Sequence, residues 1–137
     1  MKRTLIAIPL LLAACQSGEP APSTSETRIS GDGDGRSYSV AAGTTLELEL
    51  AANPSTGYEW QIGSVDTTIV APRGAEFEPN EAARSGADGA GGTQTWRFAA
   101  RAPGSTRLVM LYRRPWEPPT AHTDTFAVNV TVTQRGR

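Results

Sequence analysis

Residues 46–62 read LELELAANPSTGYEWQI, and they decide the fold class because two alternating segments flank a turn. In residues 46–50 leucine alternates with glutamate, and in residues 58–62 Tyr, Trp and Ile alternate with polar residues. A period of two predicts β-strands with one buried and one solvent-facing side. Between them, Asn53-Pro54 and Gly57 predict a turn, since proline fixes φ and glycine permits a positive φ. The stretch therefore predicts a strand, a loop and a second strand.

The same alternation continues along the rest of the chain. Trp96 and Phe98 flank an arginine, residues 108–112 form the continuous apolar run of a central strand, and residues 126–132 alternate strictly. No segment shows a convincing helical pattern, and Pro or Gly stands in almost every gap. About seven short antiparallel strands at this spacing predict an all-β, Ig-like β-sandwich. The loops after the second, fourth and sixth strands would then share one end, namely Ala52–Gly57, Pro79–Thr93 and Arg113–Thr120.

Residues 1–14 are predicted to be a signal peptide. Lys2 and Arg3 supply a positive start, and the apolar run at 5–12 is too short to span a bilayer as a helix. The small residues Ala13 and Ala14 follow at once, as at a processing site.

The stretch Leu12-Ala13-Ala14-Cys15 resembles a bacterial lipobox, whose cysteine is acylated with chains such as palmitate. The alternative is an ordinary signal with an incidental cysteine. Cys15 is the only cysteine, and a secreted protein with one thiol either leaves it reactive or uses it. We therefore expect a lipoprotein of the bacterial cell envelope, held to a membrane by lipid on Cys15. Gln16 resembles lipoproteins sent to the outer membrane.

Residues 15–36 are predicted to form the lipidated cysteine and a flexible tether, because they are rich in Gly, Pro, Ser, Thr, Glu and Asp. Within them, residues 32–35 resemble a calcium loop only superficially, since Arg36 stands where a ligand belongs. Arg28-Ile29 could pair at a sheet edge. The folded domain is expected to span residues 37–137.

Charge and composition exclude several classes of function. Loss of Lys2 and Arg3 with the signal peptide changes 13 cations against 14 anions to 11 against 14, a net charge of −3. Such a surface offers no electrostatic footprint for nucleic acid. One histidine without an available cysteine cannot build an ordinary zinc site, so neither metal nor cofactor is expected. His122 and Asp124 could share a strand face, but no Gly-x-Ser-x-Gly elbow supplies a nucleophile, so no catalytic residue and no enzyme are predicted.

Each of the three loops carries a short motif. In chain order they are Asn53-Pro54-Ser55-Thr56-Gly57-Tyr58, then Gly89-Ala90-Gly91-Gly92, then Arg114-Pro115-Trp116. Together they resemble the chagasin family of inhibitors of papain-like cysteine proteases, whose pattern is Asn-Pro-(Thr/Ser)-Thr-Gly-(Tyr/Phe), Gly-x-Gly-Gly and Arg-Pro-Trp. The resemblance covers residues 37–132, and Ser55 stands where threonine is commoner.

The resemblance implies a three-loop wedge that inhibits a papain-like cysteine protease reversibly and competitively, as a monomer. Ser55-Thr56 would enter the centre of the cleft beside the catalytic thiol. Trp116 would pack against aromatic surface on one side, and the backbone of Gly89–Gly92 would run along the other. The alternative is an envelope-anchored adhesion or ligand-binding module that uses the same loops without a protease target.

Overall fold

The computed structural model describes residues 25–118 and 120–135, which form two four-stranded β-sheets around one core. The strands are β1 (Glu26–Ser30), β2 (Ser37–Ala41), β3 (Thr45–Ala52), β4 (Glu59–Ser64), β5 (Val70–Pro79), β6 (Gly92–Ala100), β7 (Gly104–Arg113) and β8 (His122–Thr133). One helical turn, α1 (Glu81–Arg84), lies between β5 and β6. Within these residues no helix is both long and apolar enough to cross a membrane.

The strand order is β1-β3-β6-β5 in one sheet and β2-β8-β7-β4 in the other. The predicted all-β, Ig-like sandwich is confirmed. Its details differ from the prediction in two ways. There are eight strands among the described residues instead of about seven, and the sheets are mixed, because β1 pairs with β3 and β2 pairs with β8 in parallel.

The alternating segments build the core as their period predicts. Leu46, Leu48 and Leu50 of β3 are each no more than 2% exposed, and both sheets contribute to the same apolar cluster. The opposite face of β3 is less exposed to solvent than the alternation predicts. Glu47 is buried there because β1 and β6 flank it, and Arg28 and Arg97 bring their guanidinium groups to its carboxylate (3.7 and 3.3 Å).

The first strand corrects the predicted tether and domain start. β1 runs beside β3, and Ile29 is only 1% exposed in the core. The turn that follows is also fixed, since Asp34 Oδ1 accepts a hydrogen bond from Ala127 N (2.7 Å). A start at Ser37 is therefore too late. An edge strand needs only one inward apolar side chain plus ladder hydrogen bonds to a neighbour, so low apolar content did not reveal it.

The loops after β3, β5 and β7 leave the sandwich at one end, as predicted. In the first sheet, Ala52 at the end of β3 and Pro79 at the end of β5 both lie opposite Gly92, where β6 begins. In the second sheet, Arg113 at the end of β7 lies opposite Glu59, where β4 begins. The pairing register therefore collects all three loops above the same rim.

Candidate functional site

The loop between β3 and β4 is held in a tight turn by its own side chains. Residues 54–56 form one turn of 3₁₀ helix, and Gly57 closes it with a φ of 82°, a left-handed conformation that glycine adopts readily. The Thr56 hydroxyl donates to the Asn53 carbonyl (2.7 Å), and the Ser55 hydroxyl donates to Asn53 Oδ1 (2.5 Å). Residues 54–56 are nevertheless exposed, so this loop is a preformed, solvent-facing tip.

Asn53 joins the tip to the second loop and to the sheet below. Its Nδ2 donates to the carbonyl of Gly89 (2.7 Å), and its backbone N–H donates to the Tyr112 hydroxyl oxygen (2.9 Å). The ring of Tyr112 lies 5.5 Å from that of Tyr58, measured between centroids. A single asparagine thus links two loops and the end of β7.

The second loop, between β5 and β6, contains α1 and closes at its base. Asn80 caps the helical turn by accepting from Ala83 N (2.9 Å) through Oδ1, and its backbone N–H donates to the Gly91 carbonyl (3.0 Å). These bonds bring the two ends of the insertion together before β6 begins.

The last two glycines of this loop are required by contacts inside the protein. A Cβ on Gly91 would lie 2.5 Å from the carbonyl oxygen of Ala52, and a Cβ on Gly92 would collide with the carbonyl oxygen of Glu78. Gly89 has open space around it but a φ of 73°, which L side chains rarely adopt. Ala90, between them, is half-buried.

The third loop, between β7 and β8, is joined to the first through Arg114. Its Nε donates to the Thr56 carbonyl (3.2 Å), and its guanidinium carbon lies 4.5 Å from the centroid of the Tyr58 ring, a cation–π distance. A terminal nitrogen also pairs with Glu117 Oε1 at 3.6 Å. Arg114 therefore acts between loops and does not simply point into solvent.

Trp116 is the most exposed large apolar side chain among the described residues. It is 72% exposed, and Pro115 before it is exposed as well. One edge of the indole covers Gly57, where an added Cβ would stand 2.5 Å from Trp116 Cη2. The indole and the tip of the first loop therefore form one continuous surface.

A set of hydrogen bonds between the sheets supports this rim. The Gln94 side chain accepts from Trp60 N (2.8 Å) and donates to the Trp60 carbonyl (3.0 Å), which joins β6 to β4 across the sandwich. The Trp96 indole N–H reaches the same carbonyl (3.2 Å), and the Trp60 indole N–H donates to Ala51 O (2.9 Å). Hydrogen bonds between the two sheets therefore support the strand ends from which the loops leave.

The structure brings all thirteen predicted loop residues to this one end, and it adds residues that sequence reasoning missed. Tyr112 packs against the core as predicted, and in addition its hydroxyl holds Asn53. Gln94 and Arg113 were not singled out. Tyr112 carried one usable indication, because a tyrosine at the end of a buried run generally finds a partner for its hydroxyl. Gln94 carried none, since its partner Trp60 is distant in sequence. Arg113 carried none either, since its acceptors are two backbone carbonyls and the distant Gln61.

The predicted lipidation site, Cys15, lies outside the described residues, as do residues 1–14. His122, which was considered as a catalytic residue, is the first residue of β8. Within residues 25–118 and 120–135 no group of three or more His, Cys, Asp and Glu side chains could hold a metal ion.

A β-sandwich that presents three loops at one end, the second and third each bonded to the first, with an exposed tryptophan among them, defines a binding scaffold. The model of the chagasin family of peptidase inhibitors, I42, matches residues 39–130. The chain therefore belongs to this family, and the resemblance of the motifs is confirmed. Because the family consists of peptidase inhibitors, the prediction that the protein is not an enzyme is confirmed too.

Individual relatives are similar over most of the domain. Chagasin of Trypanosoma cruzi is 29% identical over 69% of this chain and 87% of its own length. Amoebiasin-1 of Entamoeba histolytica is 31% identical over 74% of this chain and 94% of its own. The crystal structure of the cysteine protease inhibitor EhICP2 from Entamoeba histolytica superposes with a TM-score of 0.67 at 18% identity, covering 82% of this chain and 100% of that one. At that identity the structural match supports the fold alone.

Proposed function

We propose that the protein is a reversible, competitive inhibitor of papain-like cysteine proteases and that its three loops occupy the active-site cleft. The observation that carries this proposal is the joint surface of the exposed tip at residues 54–56 and the exposed Trp116. A narrow tip beside an aromatic anchor suits a cleft, because anchors of this kind dominate protein interfaces.

The tip is suited to bind without being cleaved or reacting. Its two hydroxyls donate within the loop, to the carbonyl and to Oδ1 of Asn53, so neither faces a general base. Pro54 and the left-handed Gly57 hold the backbone in one shape, which lowers the ordering cost of binding. A preformed tip without a reactive group should inhibit by occupancy alone, which is reversible and competitive.

The other two loops would flank the tip. The glycine loop lies beside the tip through the bond between Asn53 and Gly89, and its backbone would run along one wall of the cleft. Trp116 would cover the other wall. Because Arg114 joins the third loop to the tip, the three contacts would be presented as one rigid body.

Titration of papain with the purified domain, residues 25–137, tests this proposal. We expect loss of activity that excess substrate reverses, a higher apparent Michaelis constant with an unchanged maximal rate, and an inhibitor of unchanged mass after incubation. A domain that leaves papain and related proteases fully active at micromolar concentration would contradict the proposal and favour the adhesion module. Cleaved inhibitor would contradict the mechanism.

We also propose that lipid on Cys15 anchors the protein in the cell envelope, in the outer membrane. The pairing register supports an orientation in which the loops lie far from the anchor. Glu26 lies opposite Thr45, at the start of β3, whereas the loops begin after Ala52, at its end. An anchored chain would therefore join the domain at the end away from the loops. Residues 16–25 can span at most about 36 Å when fully extended.

Intact-mass analysis of the mature protein tests the anchor. We expect a chain that begins at Cys15 and carries acyl groups, and a Cys15→Ser variant that no longer fractionates with membranes. A water-soluble product cleaved at another position would contradict the anchor while leaving the inhibitor proposal intact.

A further inference from the structure

The exposed position of Trp116 requires an explanation, because packing holds so little of it. With 72% of its surface exposed, the indole covers Gly57 with one edge and leaves most of its surface to solvent. An unsupported loop would let the ring sample many orientations, and a partner would have to order it on binding. Other contacts hold the backbone of residues 114–117, among them the turn that Glu117 N closes on the Arg114 carbonyl (3.1 Å).

Arg113, the last residue of β7, adds side-chain hydrogen bonds to that backbone on both sides of Trp116. One terminal nitrogen of its guanidinium donates to the carbonyl oxygens of Pro115 (3.4 Å) and of Glu117. These two carbonyls lie on either side of Trp116 in the chain. The side chain thus bonds to the loop backbone immediately before and immediately after the tryptophan.

The other end of the guanidinium is held by the neighbouring strand. Its second terminal nitrogen donates to Gln61 Oε1 on β4 (2.9 Å), and Gln61 Nε2 in turn donates to Glu59 Oε1 (2.8 Å). The oxygen and the nitrogen of the Gln61 side-chain amide are therefore both hydrogen-bonded. A chain of hydrogen bonds runs from the carboxylate of Glu59 through Gln61 and Arg113 to the two carbonyls around Trp116.

Two further observations separate Arg113 from an ordinary surface arginine. The register between β7 and β8 shifts between Tyr112 and Arg113, which places one extra residue of β8 beside the end of β7. In addition, Arg113 Nε is buried and has no hydrogen-bond partner among the described residues. Leaving a buried donor unpaired costs free energy, which other contacts of the folded chain must offset.

We infer that Arg113 is the positioning residue that presents Trp116, although it lies outside the three loop motifs. It need not touch the partner, because it acts through the backbone of the third loop. The inference rests on the proposed function for its effect on inhibition, but its effect on Trp116 itself can be measured in the free protein.

The first test compares inhibition of papain by wild type, Arg113→Ala and Arg113→Lys. We expect Arg113→Ala to weaken inhibition roughly tenfold, because two or three hydrogen bonds that fix the loop are lost. Arg113→Lys should recover only part of the loss, since an ammonium cannot span the same acceptors as a planar fork. Arg107→Ala is the matched control, because Arg107 is an exposed arginine six positions earlier on the same face of β7.

The second test measures Trp116 directly, without any protease. The chain has three tryptophans, so protein labelled with 5-fluorotryptophan should give three ¹⁹F resonances, and Trp116→Phe assigns one of them. In Arg113→Ala we expect the Trp116 resonance alone to shift and narrow, while those of Trp60 and Trp96 stay in place. Millimolar guanidinium should restore both the resonance and inhibition, and equal concentrations of sodium chloride should not.

The outcomes distinguish this inference from the proposed function. An unchanged Trp116 resonance in Arg113→Ala, or changes in all three resonances with a lower melting temperature, would overturn the positioning role. If wild type fails to inhibit any papain-like protease but the Trp116 resonance responds as expected, the proposed function fails and the positioning role stands.

Discussion

Replacement of Trp116 by alanine tests the core of the proposed interface. A tryptophan side chain presents up to about 250 Å² of surface, so the exposed 72% corresponds to about 180 Å² available to a partner. At about 25 cal/mol per Å², complete burial would contribute at most about 4.5 kcal/mol to binding. Ordering costs reduce that value, and anchors of this kind cost at least about 2 kcal/mol when truncated.

We therefore expect Trp116→Ala to weaken inhibition by about 2–4 kcal/mol, or roughly thirtyfold to a thousandfold. The inhibition constant for papain, measured from steady-state rates over a range of inhibitor concentrations, provides the comparison. The free energy of unfolding in urea should change by no more than about 0.5 kcal/mol, because the side chain is exposed. Inhibition within twofold of wild type by a fully folded variant would refute the wedge.

Three further variants test other parts of the structure. Gly91→Val should lower both the melting temperature and inhibition, because its Cβ would meet the backbone carbonyl of Ala52; wild-type values for both would contradict that contact. Ile29→Ala should lower the free energy of unfolding by about 2–5 kcal/mol in urea titrations, whereas a change near zero would mean that β1 is dispensable. Hydrogen bonds from the Thr68 hydroxyl and backbone N–H lower the pKa of Asp66 below 3.8, so its stabilisation is present above that pH and is lost as pH falls through the folded-state pKa. Asp66→Asn should therefore be less stable than wild type at pH 7, by a difference that shrinks in acid; a difference independent of pH would contradict the assignment.

The strands that alternate strictly could be predicted from the sequence, because a period of two carries its own structural meaning. β3, β4 and β8 follow this rule, and their inward residues form the core. For β1 the sequence indicated only that Arg28-Ile29 could pair at a sheet edge. Its burial depends on a single isoleucine and on hydrogen bonds to a partner that starts fifteen residues after it ends. Its other stabilising feature, the ion pair between Arg28 and Glu49 (3.2 Å), is visible only once the two strands lie side by side.

The glycine loop shows a different limit of sequence reasoning. The resemblance of the motifs implies that the backbone of Gly89–Gly92 runs along one side of a protease cleft. The structure shows that positions 91 and 92 are already closed to a side chain by Ala52 and Glu78 of the protein itself. A substitution there would act first on the fold of the loop and only then on binding. Inhibition data for such variants therefore need a stability measurement beside them.

The contacts between the loops also explain why the three motifs are informative as a set. Asn53 of the first motif bonds to Gly89 of the second, and the Thr56 carbonyl accepts from Arg114 of the third. Gly57 leaves room for Trp116. Each motif thus supplies the surface on which another one rests, so altering one of them disturbs the others even before a partner binds. A chain that keeps all three in order keeps a single preassembled surface, which is the property that an inhibitor acting by occupancy requires.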